Sequence, residues 1–167
     1  KVDGVDYIIG TTQVPTAAFV DLWKKLATAL KDKTNIWGYG IMNEPYSMPS
    51  NTAWFDIAQA TITAVRAIDA ETTIVVAGDR FSSAAFWPNF SDNLKNLEDP
   101  SDKLIFEAHQ YFDRDASGNY AGSYEAEGAT PDIGLSRLKP FVDWLKANGK
   151  RGFVGEFGVP NDDSRWL

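Results

Sequence analysis

Two glutamates in this sequence stand where short apolar segments end, and their residue type suits acid–base chemistry. Glu44 follows a mostly apolar run, residues 36–42, in the stretch GIMNEPY, and Glu156 lies in the stretch RGFVGEFG. Two carboxylates that face each other across a cleft can cleave a glycosidic bond, because one protonates the leaving oxygen while the other attacks the anomeric carbon or activates water. The pair predicts glycoside hydrolysis if the fold brings the two segments together.

Three further polar residues belong to the same segments. His109 and Tyr111 are two residues apart in KLIFEAHQYF, so both side chains would point to the same face of a strand. They could hold the carboxylates and tune their protonation, while the Asn43 amide suits a hydrogen bond to a sugar hydroxyl. Each residue also has an ordinary explanation: a strand-end glutamate is often solvated or caps a helix, a lone histidine is often structural, and a tyrosine is often core. Their coincidence at strand ends favours a joint site.

The spacing of apolar residues predicts the elements that would position these side chains. Helical spacing covers residues 16–31, about 52–69 and roughly 134–147, and continuous apolar segments predict strands over residues 35–42, 72–78, 103–112 and 151–158. A short helix in SSAAFWPNF, a long loop over residues 113–131 and a helix starting in DDSRWL complete the order. Alternating strands and helices predict an α/β fold with a parallel sheet, whose carboxyl ends all meet at one edge. The pattern fits either an open doubly wound sheet or part of a barrel.

Composition excludes several other classes of function. The net charge of −7 argues against nucleic acid or an anionic membrane as a partner, and no apolar run approaches the length of a membrane span. With no cysteine and one histidine, the usual zinc sites cannot form, and we expect neither a metal nor another cofactor. The length predicts a single domain, residues 1–167, and the first residues show no signal-peptide pattern, as expected of a mature chain or a fragment.

Aromatic residues are numerous, and they fit a sugar-binding protein. The chain has 6 Trp, 6 Tyr and 10 Phe, of which some could stack on the apolar faces of sugar rings. The acidic pI of about 4.6 and the lack of cysteine fit a secreted, extracellular protein that degrades polysaccharide.

Three segments together resemble glycoside hydrolase family 5, especially its endo-β-1,4-glucanases. WGYGIMNEPY, IFEAHQYFD and FVGEFGVP are similar to the fourth, sixth and seventh strands of that family, and VDYIIG with FVDLWKKLATALKDK is similar to the segment before strand four. The resemblance implies a (β/α)₈ TIM barrel, of which this chain would hold about half, strands four to seven. Such a barrel needs at least about 200 residues, so we expect residues 1–167 to form a partial catalytic domain.

The resemblance also implies roles for individual residues. Glu44 would be the acid/base and Glu156 the nucleophile of a retaining double displacement, with their carboxyls about 5 Å apart. Asn43 would bond the sugar 2-hydroxyl in the −1 subsite. His109 and Tyr111 would flank the site, with Tyr111 near the nucleophile. Trp87, in the short helix after the second strand, is a candidate stacking platform for the substrate.

The sequence leaves several functions and assemblies open. A retaining endo-β-1,4-glucanase acting on β-1,4-linked glucan is favoured, while a β-mannanase of the same family has the same motifs. A carbohydrate-binding half-barrel with little or no turnover is the alternative from another class. Because four parallel strands leave two bare edges, the chain could also self-associate or pair with a complementing half of the barrel.

Overall fold

The computed structural model describes residues 3–50 and 53–166, which form one parallel sheet with helices packed on one face. Helices α1 Thr16–Leu30, α2 Ala53–Arg66, α3 Trp87–Phe90 and α4 Ile133–Asn148 alternate with the strands β1 Gly38–Gly40, β2 Thr73–Ala77, β3 Leu104–Tyr111 and β4 Gly152–Gly158. The strands are hydrogen-bonded in the order β1-β2-β3-β4, and every pairing is parallel. The α/β order that the sequence predicts is therefore present.

Several element boundaries differ from the predicted ones, including that of the strand before Glu44. Only Gly38–Gly40 of the predicted strand 35–42 pairs as a strand; the Ile41 amide still donates to the Val75 carbonyl of β2, and the chain then turns into the loop that carries Glu44. Helix α2 ends at Arg66 instead of residue 69, and its predicted first residue, 52, lies outside the described residues. The predicted last helix is a 3₁₀ turn, Ser164–Trp166.

The main core lies between the sheet and its helices. Alternate strand residues face the helices, so Phe106 of β3 contacts the rings of Trp87 and Trp144 edge-on. The buried apolar residues of this core are Phe19, Ala27, Tyr39, Ile41, Trp54, Ile57, Ala58, Ile62, Val65, Ile74, Val76, Ala84, Trp87, Leu94, Leu97, Phe106, Ala108, Phe141 and Trp144. The opposite face of the sheet carries no helix among the described residues, and Trp37 and Phe153 lie edge to face there, 6.3 Å apart.

Two helix tryptophans anchor the strand ends that carry the site. The Trp23 indole of α1 donates to the carbonyl of Ile41, and the Trp54 indole of α2 donates to the carbonyl of Ala77 at the end of β2. Both bonds join a packed helix to the backbone where a strand ends, so core packing fixes the loops that follow. None of the helices over residues 3–50 and 53–166 is long and apolar enough to cross a membrane.

Candidate active site

Glu44 lies in the loop after β1, and its carboxylate contacts the histidine ring of β3. The loop is held on both sides: the Ile41 amide donates to the Val75 carbonyl, and the Phe81 amide donates to the Pro45 carbonyl. Glu44 Oε1 lies 2.7 Å from Nδ1 of His109, which is a hydrogen-bond distance. The Glu44 side chain is 28% exposed and the His109 side chain only 3%, so the carboxylate lies between a buried ring and solvent.

Glu156 reaches the same ring because β4 contains a bulge. The register pairs Ala108 with Val154 but His109 with Glu156, so Gly155 is an extra residue in β4. Without that extra residue, Glu156 would pair with Gln110 and point to the helix-covered face. The bulge therefore places Glu156 on the face of His109, 3.6 Å from Nδ1 to Oε2.

Tyr111 fixes the other oxygen of Glu156. Its hydroxyl donates a 2.7 Å hydrogen bond to Glu156 Oε1. One oxygen each of Glu44 and Glu156 and one ring nitrogen of His109 all lie within 4.8 Å of one another. The structure thus brings together four of the residues singled out in the sequence, from the ends of three strands.

The site carries a buried positive charge among carboxylates. Burial alone would lower the pKa of His109, but hydrogen bonding to Glu107 and Glu44 and the charge of Glu156 raise it to about 9. The hydrogen bond to Glu156, burial and the nearby negative charges raise the pKa of Tyr111 to about 12. At neutral pH, His109 is therefore an imidazolium and Tyr111 is a neutral donor.

Among the described residues, Glu44, His109 and Glu156 have the residue types and spacing that could hold a metal ion. The 2.7 Å contact between His109 Nδ1 and Glu44 Oε1, however, is a hydrogen bond, whose proton a cation would have to replace. Hydrogen bonding accounts for the arrangement, and we assign no metal to it.

A cleft of about 520 Å³ opens over these residues, and aromatic side chains line one side of it. Phe81, Phe86 and Phe90 line the cleft, and each is between 42% and 51% exposed. Tyr46 stacks on Phe81 with ring centroids 4.7 Å apart and planes 18° from parallel. Asn43 is exposed next to Glu44 but is not among the residues that line this cleft.

The aromatic wall follows a strained turn. Arg80, Phe81 and Ser82 have φ values of 54°, 63° and 56°, a left-handed conformation that costs energy for residues other than glycine. The turn is held by Ser82, whose hydroxyl accepts from the Gly78 amide and donates to the Glu107 carbonyl. Phe81 lies within this turn, and its half-exposed ring lines the cleft.

Trp87 is not a stacking platform, and this expectation from the sequence was wrong. Its side chain is 1% exposed and packs against Phe106, Phe141 and Trp144 beneath the sheet. A tryptophan in the first turn of a short helix over an apolar sheet buries far more area inward than it could offer a sugar.

Sequence reasoning missed Glu107 and the exposed aromatic residues. Glu107 is two residues before His109 on β3, so the alternation that grouped His109 with Tyr111 also places Glu107 on their face. Its Oε1 lies 3.5 Å from His109 Nε2. Phe81 carried no signal in the sequence, because its exposure depends on the left-handed turn.

Comparisons with known proteins agree with this geometry. The model of the family described as Cellulase (glycosyl hydrolase family 5) matches residues 6–166. Endo-beta-1,4-glucanase B of Emericella nidulans is 36% identical over 146 residues, which are 87% of this chain and 42% of that protein. Probable endo-beta-1,4-glucanase B of Neosartorya fischeri is 37% identical over 152 residues, 90% of this chain and 44% of that protein.

Solved cellulase structures have the same fold. The endoglucanase Cel5A of Pseudomonas stutzeri, in complex with cellobiose, is 40% identical with a TM-score of 0.87, over 99% of this chain and 48% of that one. XacCel5A in complex with cellopentaose is 36% identical with a TM-score of 0.83, over 98% of this chain and 51% of that one. The prediction of a partial (β/α)₈ TIM barrel is confirmed, and the chain spans about half the length of these relatives.

Proposed function

Because the chain belongs to the cellulases of glycosyl hydrolase family 5, we propose that it is the part of a retaining endo-β-1,4-glucanase that carries both catalytic carboxylates. Glu44 is the acid/base and Glu156 the nucleophile in this proposal. One observation supports retention above all: an oxygen of each carboxylate lies within 4.8 Å of the other. Retaining enzymes need about 5 Å between the two groups, whereas inverting enzymes need about 6.5 to 9.5 Å to admit a water molecule.

The hydrogen bonds assign a task to each carboxyl oxygen. Glu156 Oε1 accepts from Tyr111, so Oε2 attacks the anomeric carbon and forms a glycosyl ester as the bond to the leaving sugar breaks. Glu44 Oε1 is bonded to His109, so Oε2 gives its proton to the departing oxygen. In the second step Glu44 removes a proton from water, the water oxygen attacks the anomeric carbon, and Glu156 is released as a carboxylate.

A β-1,4-linked glucan is the substrate we propose. Among similar structures, the endoglucanase Cel5A of Pseudomonas stutzeri is in complex with cellobiose, and XacCel5A is in complex with cellopentaose. The stacked rings of Tyr46 and Phe81 offer a sugar the exposed aromatic surface that Trp87 does not. Asn43 bonds the 2-hydroxyl in this scheme. An extracellular location belongs to the same proposal, since a polymeric glucan lies outside the cell.

A carbohydrate-binding half-barrel with little turnover is the second candidate. The observation in its favour is the open inner face, where Trp37 is 66% and Phe153 is 39% exposed. Such a chain would bind glucan through aromatic residues without holding the carboxylates firmly. A β-mannanase would share the same carboxylate pair, and comparing hydrolysis of β-1,4-mannan with that of β-1,4-glucan separates it from the glucanase.

A pair of substrates separates the roles of the two glutamates. We would compare the parent chain with Glu44→Gln and Glu156→Gln on carboxymethyl-cellulose and on dinitrophenyl β-cellobioside, whose leaving group needs no proton. Glu44→Gln should lose the polymer substrate but still release a burst of dinitrophenolate, whereas Glu156→Gln should lose both. Glu71→Gln, whose side chain is 88% exposed in the parent, is the control for charge.

The same experiment decides between the candidates. A product that first appears as the β-anomer by NMR supports retention, and an α-anomer would contradict it. A parent chain that binds cellopentaose but releases no dinitrophenolate would contradict the catalytic proposal and favour the binding half-barrel. Equal losses in both substitutions on both substrates would contradict the separate roles.

A further inference from the structure

A third glutamate, Glu107, lies on the opposite side of the His109 ring from Glu44 and Glu156, the two proposed catalytic residues. It lies on β3 with its side chain 19% exposed, and its Oε1 is 3.5 Å from Nε2 of His109. The other ring nitrogen, Nδ1, faces Glu44 at 2.7 Å and Glu156 at 3.6 Å. The histidine ring therefore links Glu107 to both glutamates of the proposed mechanism.

Each ring nitrogen of His109 has a glutamate oxygen near it, and this arrangement favours a ring that is protonated on both nitrogens. A neutral imidazole has one N–H and one bare nitrogen, so it would turn a lone pair toward a carboxylate on one side or the other. Only the imidazolium can present an N–H to Glu107 and an N–H to Glu44 at the same time. Its backbone is also fixed, because the His109 amide donates to Ser82 and its carbonyl accepts from Ala84.

The space for the Glu107 carboxylate is provided by the bulge in β4. A Cβ atom on Gly155 would lie 1.9 Å from Glu107 Oε1 and 2.6 Å from its carboxyl carbon, so a larger residue here would displace this carboxylate from its present position. The same extra residue puts Glu156 opposite His109. One bulge therefore serves two purposes: it aims Glu156 and makes room for the acid behind the ring.

We propose that Glu107 is a positioning residue that keeps a proton on Nε2 of His109, so that the ring stays a cation and its Nδ1–H stays directed at Glu44. The cation stabilises the ionised nucleophile Glu156 before attack, and it stabilises the Glu44 carboxylate that forms once Oε2 has given up its proton. Glu107 acts through His109 and contacts no substrate. The catalytic consequence rests on the proposed function, but the coupling between Glu107 and His109 does not.

Several charged groups surround the His109 ring, and a test of Glu107 must distinguish its effect from theirs. Glu44 faces it from the loop after β1, Glu107 from β3 and Glu156 from β4, and the Tyr111 hydroxyl adjoins Glu156. The turn after β2 contacts the backbone of His109 through hydrogen bonds with Ser82 and Ala84. Arg80 and Asp115 line the cleft next to the ring.

The single histidine of the chain makes a direct measurement possible. A nitrogen–proton NMR titration of the parent, Glu107→Gln and the matched control Glu71→Gln would report on His109 alone. In the parent we expect a pKa near 9; in Glu107→Gln it should fall toward the ordinary 6.5, and in Glu71→Gln it should stay at the parent value. A pKa in Glu107→Gln equal to that in the control would overturn the proposal, with or without glucan turnover.

Kinetics test the consequence for Glu44. Glu107→Gln should lower kcat about tenfold with little change in KM, and the loss of activity that follows deprotonation of His109 should move to lower pH together with the pKa of that ring. Glu107→Asp keeps the charge and should recover part of both the pKa and the rate. Gly155→Ala should reproduce the Glu107→Gln titration by displacing the carboxylate. A parent-like kcat and pH profile in Glu107→Gln would refute the positioning role even if the pKa moved.

Discussion

The hydroxyl of Tyr111 donates a 2.7 Å hydrogen bond to Oε1 of Glu156, although the two residues are 45 positions apart in the chain. The contact exists because β3 and β4 are neighbours and the bulge at Gly155 turns Glu156 onto the face of Tyr111. With the pKa of Tyr111 raised to about 12, the hydroxyl remains a donor throughout the neutral range. It therefore holds one carboxylate oxygen and leaves the other for the attack that we propose.

Removing that hydroxyl should slow the reaction without unfolding the protein. A hydrogen bond to a charged group contributes about 1.5 to 3 kcal/mol, so Tyr111→Phe should lower kcat/KM by about 10- to 100-fold. Tyr7→Phe, at an exposed tyrosine outside the cleft, should match the parent. Initial rates on dinitrophenyl β-cellobioside measure both, and an unchanged rate in Tyr111→Phe would remove this residue from the mechanism.

The parallel sheet could be predicted from the sequence because its strands are continuous apolar segments between amphipathic helices. The length of β1 could not, since Ile41 is buried and apolar like a strand residue and still donates to Val75 of β2, although the regular strand ends at Gly40. The choice between an open sheet and part of a barrel depended on the resemblance to a family, not on periodicity.

Some parts of the candidate site could also be predicted from the sequence, and others could not. Alternation along β3 grouped His109 with Tyr111, and strand order brought Glu44 and Glu156 to one edge. The bulge that aims Glu156 was not predictable, because a glycine before a glutamate has many ordinary explanations. Trp87 lies in the core and not in the cleft, and Phe81, for which no prediction was made, lines the cleft instead, because burial depends on which side of a short helix or strained turn meets the sheet.

Truncating Trp87 tests its reassignment to the core. Trp87→Ala should destabilise the protein by about 3 to 5 kcal/mol, because it leaves a cavity among Phe106, Phe141 and Trp144. Urea denaturation measures the change, with Phe157→Ala at a 68% exposed ring as the control. Loss of glucan binding with unchanged stability would restore Trp87 as a platform.

Truncating Phe81 should weaken substrate binding instead of stability. Phe81→Ala removes a ring that stacks on Tyr46 in the cleft, and we expect cellopentaose to bind about 5- to 20-fold more weakly by calorimetry. Phe81→Gly should lose the same affinity but be more stable than Phe81→Ala, because glycine adopts the φ of 63° without strain. Parent-like affinity in both variants would exclude this ring from the substrate site.

The stability of the protein should fall at alkaline pH because of His109. Its folded pKa of about 9 exceeds the ordinary 6.5, so the folded state binds the proton more tightly than the unfolded state does. This contribution, on the order of 3 kcal/mol, is complete below about pH 6.5 and is lost as the pH rises through about 9. Urea midpoints across this range measure the loss, which His109→Gln should lack; an equal slope in that variant would assign the loss to other groups.

The buried pair Arg66–Asp99 should matter far more to stability than the surface pair Lys103–Glu71. Arg66 binds both oxygens of Asp99, at 2.7 and 2.9 Å, and the two side chains are 4% and 2% exposed. Burial alone would raise the pKa of Asp99, but hydrogen bonds from Arg66 and from backbone amides lower it, so the carboxylate stays charged.

Replacing the cation of each ion pair measures how much the buried pair and the surface pair contribute to stability. Arg66→Met leaves a buried carboxylate unpaired and should cost about 3 to 5 kcal/mol of unfolding free energy. Lys103→Met removes a partner from a glutamate that is 88% exposed and should cost less than about 1 kcal/mol. Urea denaturation compares the two, and the double variant Arg66→Met/Asp99→Leu should recover part of the loss, since it removes the unpaired charge. Equal costs for Arg66→Met and Lys103→Met would mean that Asp99 is solvated when its partner is removed.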